Sequence, residues 1–202
     1  AGVLNEFREY FADQKKKKVW FNYGFDRHVL FNEGIDAKGF GGDVMQMARL
    51  LDGSRDPKAY SLNRTSMFYL REVQKEKDLF LQNIDLARTG SKGAANVKIF
   101  KELDDGDRFK LSMAKLFVRP KKLKDGSDGR ILEVPEVEEL HTSKELISRW
   151  LGYATFDAEV TFFLFLALKR LMIRLPVGVE GMNTTWDLYQ KYWLPFGELL
   201  TD

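Results

Sequence analysis

The chain has 202 residues, of which 44% are apolar and 31% are charged, the composition of a folded soluble domain and not of a disordered segment. It contains no cysteine and only two histidines, His28 and His141. Thiol chemistry is therefore excluded, and so is zinc held by cysteines or by a histidine cluster. The net charge is only +2, so a site for a polyanion must come from local clusters of cations.

The N-terminal part predicts short elements separated by polar and glycine-rich segments. Leu4, Phe7 and Phe11 have the spacing of one helical face. The run Lys15–Lys18 suits the C-terminus of that helix, where cations are favourable. In chain order the patterns predict a helix at 3–14, an extended aromatic stretch at 19–25, a loop marked by glycines at 34–42 and a short helix capped by Asp43.

The middle of the chain predicts one long or broken helix, followed by a change of hydrophobic period. The helix covers residues 62–88 and ends at a Gly-Ser-rich stop. Alternating apolar residues then predict two short strands within 97–113, joined by an acidic turn that contains Gly106. Residues 119–129 are basic and rich in turn formers, which predicts an exposed loop.

After Pro135 the chain is predicted to be helical again. Thr142 or Ser143 can cap a helix that runs to about residue 155, and Asp157 can cap a second helix that ends near Pro176. The uncharged run at 160–168 has nine residues, whereas a membrane span needs about 20, so a buried helix is predicted there. A last aromatic helix at 184–193 is predicted to stop at Pro195.

These elements predict a mainly α fold with a small antiparallel β-hairpin, and they leave open an arrangement as two helical lobes. The basic loop is the best candidate for a boundary between lobes. The predicted organisation is an N-terminal lobe at 1–118, a basic loop at 119–130 and a C-terminal helical lobe at 131–202.

Motifs for catalysis are weak in this sequence. Gly39–Gly42 precedes a predicted helix, but it lacks the Lys-Ser/Thr of a phosphate-binding loop. Asp104, Asp105 and Asp107 lack the later bidentate Glu of a calcium loop, and a hairpin turn accounts for them better. No nucleophile, base and orienting group can be assembled locally, although such sets often converge from distant positions. The sequence therefore predicts a protein that is not an enzyme and that has no cofactor and no metal.

Clusters of cations next to aromatic residues indicate binding of a polyanion. Lysine and arginine hold phosphates, and unstacked bases lie on aromatic rings. A solubilising surface is the competing explanation for the same residues. The predicted contacts are Lys15, Lys16, Lys17 and Lys18 with the neighbouring rings of Trp20 and Tyr23, and Lys110, Lys115, Arg119, Lys121 and Lys122 along and beyond the predicted hairpin.

The run Leu146-Ile-Ser-Arg-Trp-Leu-Gly-Tyr153 follows this basic segment. Over residues 109–153 the chain resembles the central region of nucleoproteins from segmented negative-strand RNA viruses, particularly the orthobunyavirus type. The resemblance implies two mostly helical lobes with a basic cleft between them that holds RNA without sequence preference. It also implies terminal arms that dock on neighbouring protomers, and it places Arg149 at the RNA or as a brace of the cleft. Trp150 departs from the aliphatic residue of that pattern.

Together the cations and the resemblance predict a nucleocapsid or coat protein that encapsidates single-stranded RNA. Its expected partners are RNA and further copies of itself, with no membrane. No signal peptide is visible, and the absence of cysteine is compatible with a reducing compartment, so the expected location is the host cytoplasm and the virion. The alternative is a helical protein-interaction module, an adaptor or regulatory subunit, that binds no nucleic acid.

Overall fold

The computed structural model describes residues 2–72, 116–144 and 146–200. The hairpin predicted at 97–113 lies outside these ranges, as do residues 73–88 of the helix predicted at 62–88. Lys110 and Lys115, two of the predicted RNA contacts, also lie outside the described residues.

The N-terminal segment forms two short helices, where one was predicted. They are α1 (Gly2–Glu6) and α2 (Arg8–Ala12), followed by strand β1 (Lys18–Trp20) and helix α3 (Tyr23–Asn32). The stretch predicted to be extended at 19–25 is thus extended only in its first part. The chain turns helical at Tyr23 because a distant carboxylate, described below, accepts the N–H groups at the start of α3.

The glycine-rich segment predicted as a loop contains a strand. Strand β2 (Phe40–Asp43) pairs in parallel with β1, with Lys18 opposite Phe40 and Trp20 opposite Asp43. The glycines permit this close approach: a Cβ on Gly41 would lie 2.9 Å from the carbonyl oxygen of Lys18. Helix α4 (Val44–Leu51) follows directly and has Asp43 as its N-cap, as predicted. A 3₁₀ turn (Pro57–Tyr60) and helix α5 (Leu62–Glu72) complete this segment.

The antiparallel hairpin of the described structure is formed by the basic segment that was predicted as a loop. Strands β3 (Arg119–Lys122) and β4 (Asp128–Glu133) pair with Arg119 opposite Glu133. Gly126 takes a positive φ of +83° at the turn, a conformation that glycine adopts readily. Helix α6 (Val137–Thr142) follows. The predicted fold class, mainly α with a small antiparallel hairpin, is confirmed.

Helix α7 (Ile147–Arg174) is continuous, whereas two helices separated at Asp157 were predicted. It contains one glycine, Gly152, and no proline, so no residue forces a break at Asp157. Its buried residues follow helical spacing along one stripe, and Phe162 is about half exposed, so the helix is not buried on nearly every side. The stripe consists of Phe156, Val160, Phe163, Leu164, Ala167, Leu168 and Met172.

By length and composition alone α7 could cross a membrane. The core helix of a soluble protein passes the same test, and a single buried stripe along the helix is the pattern of such a core helix.

The C-terminal segment continues through Pro195, where an interruption was predicted. Helix α8 (Thr185–Leu188) begins with a capping box between Thr184 and Asp187. A π-helical turn (Tyr189–Trp193) leads into α9 (Leu194–Leu199). Pro195 lies in the first turn of α9, where a missing N–H is tolerated.

The chain divides into two compact units. One comprises Ala1–Glu76 together with Thr161–Asp202, and the other comprises Lys77–Val160. The lobes predicted at 1–118 and 131–202, with a connecting loop at 119–130, are continuous segments and stay a prediction.

The buried stripe of α7 generates a test of the core. Leu164 is fully buried, so Leu164→Ala removes packed methyl groups and is expected to lower the free energy of unfolding by about 3 kcal/mol. Urea denaturation followed by circular dichroism measures this loss. The control Phe162→Ala removes a half-exposed ring from the same helix and is expected to cost less than about 1 kcal/mol. Equal losses for the two variants would contradict the stripe.

Candidate functional site

Asp43 joins three parts of the first unit. It ends β2 and caps α4, where its Oδ1 accepts a hydrogen bond from the backbone N–H of Met45 at 2.9 Å. The same carboxylate also accepts from the start of α3, through the N–H of Asn22 at 3.1 Å and of Tyr23 at 2.9 Å. One side chain therefore caps two helices.

Burial of Asp43 is compensated by these donors. The side chain is only 5% exposed, and burial raises the pKa of its carboxyl above the usual value. The backbone N–H groups of Asn22, Tyr23, Met45 and Gln46 act in the opposite direction. A carboxylate has about four acceptor positions, and here four backbone N–H groups occupy them. Few acceptor positions of Asp43 therefore remain for a substrate.

Tyr189 connects this junction to the C-terminal helices. Its hydroxyl oxygen accepts the backbone N–H of Asp43 at 2.9 Å, and burial raises the pKa of the phenol. Gly42 permits the contact, since a Cβ there would lie 3.2 Å from the Tyr189 hydroxyl and 3.1 Å from the Phe165 ring. Trp186 stacks on Tyr189 with ring centroids 5.5 Å apart, so the C-terminal segment is packed firmly at this point.

Asp26 is a second carboxylate close to Asp43, and its pKa is strongly shifted. It lies in α3 and is partly buried. Burial, and repulsion from the Asp43 carboxylate, raise the pKa of Asp26 from 3.8 to about 6. Perturbed carboxylates cluster at functional sites, so Asp26 is a candidate functional residue. Within residues 2–72, 116–144 and 146–200, no group of three or more His, Asp or Glu side chains could hold a metal ion.

A small cavity lies beside Asp43 in the same unit. Its volume is about 130 Å³, and its walls are mostly aromatic and apolar. Tyr23 and Phe40 stack with ring centroids 4.4 Å apart, while Trp193 and Phe196 are the partly exposed rings. The lining residues are Asn22, Tyr23, Gly24, Phe40, Asp43, Gln46, Tyr189, Trp193, Phe196, Gly197 and Leu200.

The four lysines of the first predicted cation cluster differ in their exposure to solvent. Lys15, Lys16 and Lys17 are exposed. Lys18 is buried, and its Nζ donates to the carbonyl oxygens of Asp13 at 2.8 Å and of Lys16 and Lys38 at 2.9 Å. Lys18 thus holds the backbone of this turn together, and burial lowers its pKa.

The two rings predicted to stack on bases are engaged with other rings of the protein. Trp20 stacks on Phe11 with centroids 6.0 Å apart. Tyr23 is buried against Phe40, and its hydroxyl donates to the carbonyl oxygen of Ala37 at 3.3 Å.

The second predicted cluster is largely paired with protein groups. Arg119 forms a two-pronged ion pair with Glu139, which lowers the pKa of that glutamate. Lys122 pairs with Asp128 at 2.5 Å. Arg149 donates from Nη1 to the carbonyl oxygen of Leu116 at 3.1 Å, and Lys121 is exposed. The predicted nucleic-acid contacts of both clusters stay a prediction.

Asp26, Tyr189 and the cavity were missed by the sequence reasoning. Asp43 was identified only as a helix cap. A local signal for Asp26 exists: it lies three residues after Tyr23 and four before Leu30, so a polar residue falls on the buried side of α3. That signal was lost because residues 19–25 were interpreted as extended. Tyr189 pairs with a residue 146 positions away, for which no local signal exists.

The chain is similar to a part of DNA polymerases from plant organelles. No family model and no solved structure matches the chain. It is 35% identical over 202 residues to DNA polymerase I B, chloroplastic/mitochondrial, of Arabidopsis thaliana, and 35% identical over 201 residues to DNA polymerase I A, chloroplastic, of Oryza sativa subsp. japonica. Each match covers 98% of this chain but 17% of the relative. The chain therefore spans about a sixth of the length of the curated relatives it matches.

These matches contradict the viral interpretation. The resemblance to nucleoproteins depended on a run of eight residues at 146–153, whereas the similarity to the polymerases extends over 98% of the chain. The predicted encapsidation of single-stranded RNA, with RNA and further copies of the chain as partners, is therefore wrong. The alternative of a helical interaction module without nucleic acid gains no support.

The names of the relatives contradict two further predictions. The relatives are named as polymerases, which are enzymes. This contradicts the prediction that the protein is not an enzyme. They are described as chloroplastic or mitochondrial, which contradicts a location in the host cytoplasm and virion.

The hydrogen bonds of Asp43 generate a stability test. Asp43→Ala leaves buried N–H groups at the start of α3 and α4 without an acceptor, and it is expected to lower the free energy of unfolding by about 3 kcal/mol. The control Asp56→Ala removes a cap that accepts from the N–H of Lys58, and it is expected to cost about 1 kcal/mol. Urea denaturation compares the two, and a smaller loss for Asp43→Ala than for Asp56→Ala would contradict this role.

The raised pKa of Asp26 generates a pH test. Since the folded-state pKa of about 6 exceeds the ordinary 3.8, charging Asp26 costs stability as the pH rises through this range. Asp26→Asn removes that cost. At pH 7.5 the free energy of unfolding of the variant should therefore exceed that of the parent chain by about 1 kcal/mol, a value that allows for solvent screening. At pH 4 the two free energies should be nearly equal.

Asp52→Asn is the matched control for this experiment, because hydrogen bonds from Ser54 lower the pKa of Asp52. Its effect on stability should have the opposite sign and should also fade toward low pH. A difference between Asp26→Asn and the parent that is constant from pH 4 to pH 7.5 would contradict the raised pKa.

Proposed function

We propose that this chain is a DNA-processing segment of a DNA polymerase I-like protein of an organelle. The observation that carries the proposal is the 35% identity to plant organellar DNA polymerases along 98% of the chain. Similarity over such a length is expected when a whole structural unit is shared, whereas a short motif recurs by chance. Because the chain spans only a sixth of those relatives, the proposal concerns one step on DNA and not the whole activity of a polymerase.

The proposed step is hydrolysis of a DNA phosphodiester with Asp26 as the proton acceptor, and the raised pKa of Asp26 in the same unit as Asp43 supports it. With a pKa of about 6, Asp26 is mostly deprotonated at neutral pH and basic enough to accept a proton from an attacking water. The water oxygen bonds to phosphorus, its proton passes to the carboxylate, and the bond from phosphorus to the leaving oxygen breaks. The leaving oxygen takes a proton from solvent.

Asp43 is a positioning residue in this proposal. Its carboxylate is occupied by four backbone N–H groups, so it does not replace Asp26 as proton acceptor. Burial raises the pKa of Asp26, and the negative charge of Asp43 adds to this effect. The hydrogen bonds of Asp43 hold the first turn of α3, which carries Asp26. Exposed Lys15, Lys16 and Lys17 belong to the same unit and offer charge for the DNA backbone.

The test uses the 202-residue chain with single-stranded DNA labelled at its 5′ end, in a buffer containing magnesium, which nucleases and polymerases commonly require. Shortened labelled products, resolved on a denaturing gel, report hydrolysis. Asp26→Asn cannot accept the proton and is expected to lower the rate at least about a hundredfold while the affinity for DNA changes little. Below pH 6 the rate of the parent chain should fall, because Asp26 becomes protonated.

The control is Asp128→Asn, which removes an exposed carboxylate on β4 and should leave the rate unchanged. Equal cleavage by the parent chain and Asp26→Asn would overturn the role of Asp26. A chain that neither binds nor cleaves DNA at low salt would overturn the proposed function.

A further inference from the structure

The cavity beside Asp43 has no part in the hydrolysis proposed above. It lies in the first unit, between the start of α3, the end of β2 and the C-terminal helices, whereas Asp26 is not among its lining residues. Its walls are therefore free to recognise some other part of a ligand.

The size of the cavity limits the ligand to one small ring system. The cavity volume is about 130 Å³. Sites for drug-sized ligands are larger, at roughly 300 Å³ or more. A whole nucleotide with its sugar and phosphate would exceed this space, but the planar part of one would not.

The chemistry of the walls favours a flat ring with a polar edge. Trp193 and Phe196 are 37% and 51% exposed, so their rings remain accessible for stacking. Asn22 and Gln46 line the same cavity, and a side-chain amide carries both a hydrogen-bond donor and an acceptor. Tyr23 and Phe40 form a rigid, buried part of the wall.

We propose that this cavity binds a single nucleobase that is splayed out from a single-stranded segment of DNA. The base lies against the rings of Trp193 and Phe196, and its hydrogen-bonding edge meets the amides of Asn22 and Gln46. Stacking of this kind tolerates any base, because every base has a π face. The inference rests on the proposed function for the identity of the strand and adds a site that holds the strand by a base, separate from the phosphate chemistry.

The test compares two fluorescein-labelled ten-nucleotide probes with equal numbers of phosphates: oligothymidylate and an analogue in which every base is absent. Fluorescence anisotropy measures the affinity of the 202-residue chain for each. If one base occupies the cavity, oligothymidylate binds about tenfold more tightly than the abasic probe. Equal affinities would overturn the pocket while leaving DNA binding intact, and no binding of either probe would overturn the proposed function together with this inference.

Variants of residues that line the cavity test whether the higher affinity for oligothymidylate comes from the cavity. Trp193→Leu removes the stacking surface, and Gln46→Ala removes a polar edge group while retaining a good helix former. Each is expected to reduce the advantage of oligothymidylate at least about threefold without changing the affinity for the abasic probe. Tyr192→Leu is the matched control, since it removes a neighbouring exposed ring that does not line the cavity.

Circular dichroism confirms that each variant is folded before its affinity is interpreted. If Trp193→Leu is unfolded, Gln46→Ala alone decides the result. An undiminished advantage in the folded variants, or an equal loss in Tyr192→Leu, would overturn the assignment to this cavity.

Discussion

The Asp43 carboxylate is the interaction on which the first unit depends. It accepts the N–H groups that begin α3 and those that begin α4, while its own backbone N–H donates to the hydroxyl of Tyr189. Hydrogen bonds to an ionised acceptor are stronger than neutral ones, and two helix N-termini favour a negative charge between them. Burial of the carboxylate is tolerated only because all of these donors converge on it. The β1–β2 pair, the two helices and the C-terminal segment are thereby held in one arrangement.

This constraint separates two kinds of acidic residue. Asp43 accepts four backbone hydrogen bonds and serves as a fixed charge, whereas burial and the neighbouring Asp43 carboxylate raise the pKa of Asp26 toward neutral pH. A rigid charge close to a titratable group is a direct way to tune that group, because the repulsion cannot be relieved by movement. The same junction forms one wall of the aromatic cavity, so the proposed proton acceptor and the proposed base site share a common scaffold.

The viral interpretation failed because the run at 146–153 has structural explanations in this fold. Arg149 donates to the carbonyl oxygen of Leu116, and the ring of Trp150 contacts those of Phe117, His141 and Tyr153. A helix that packs one aromatic face and anchors one arginine can show this spacing in unrelated proteins. Similarity along the whole chain carries more weight, because it requires many independent positions to agree.

Local signals in the sequence determined the helical character of the chain, the cap at Asp43 and the end of the long helix before Pro176, because these depend on residues within one or two turns. Tertiary structure decided where α3 begins, that the glycine-rich segment pairs as β2, and that the pKa of Asp26 is raised to about 6. The first two depend on a partner 15 or more positions away, since β2 pairs with β1 and the start of α3 donates to Asp43. The pKa of Asp26 depends on its burial in the fold and on the charge of Asp43. The contact of Asp43 with Tyr189 spans 146 positions. Hydrophobic period and capping patterns report only neighbours along the chain, so such pairings emerge only when the chain has folded.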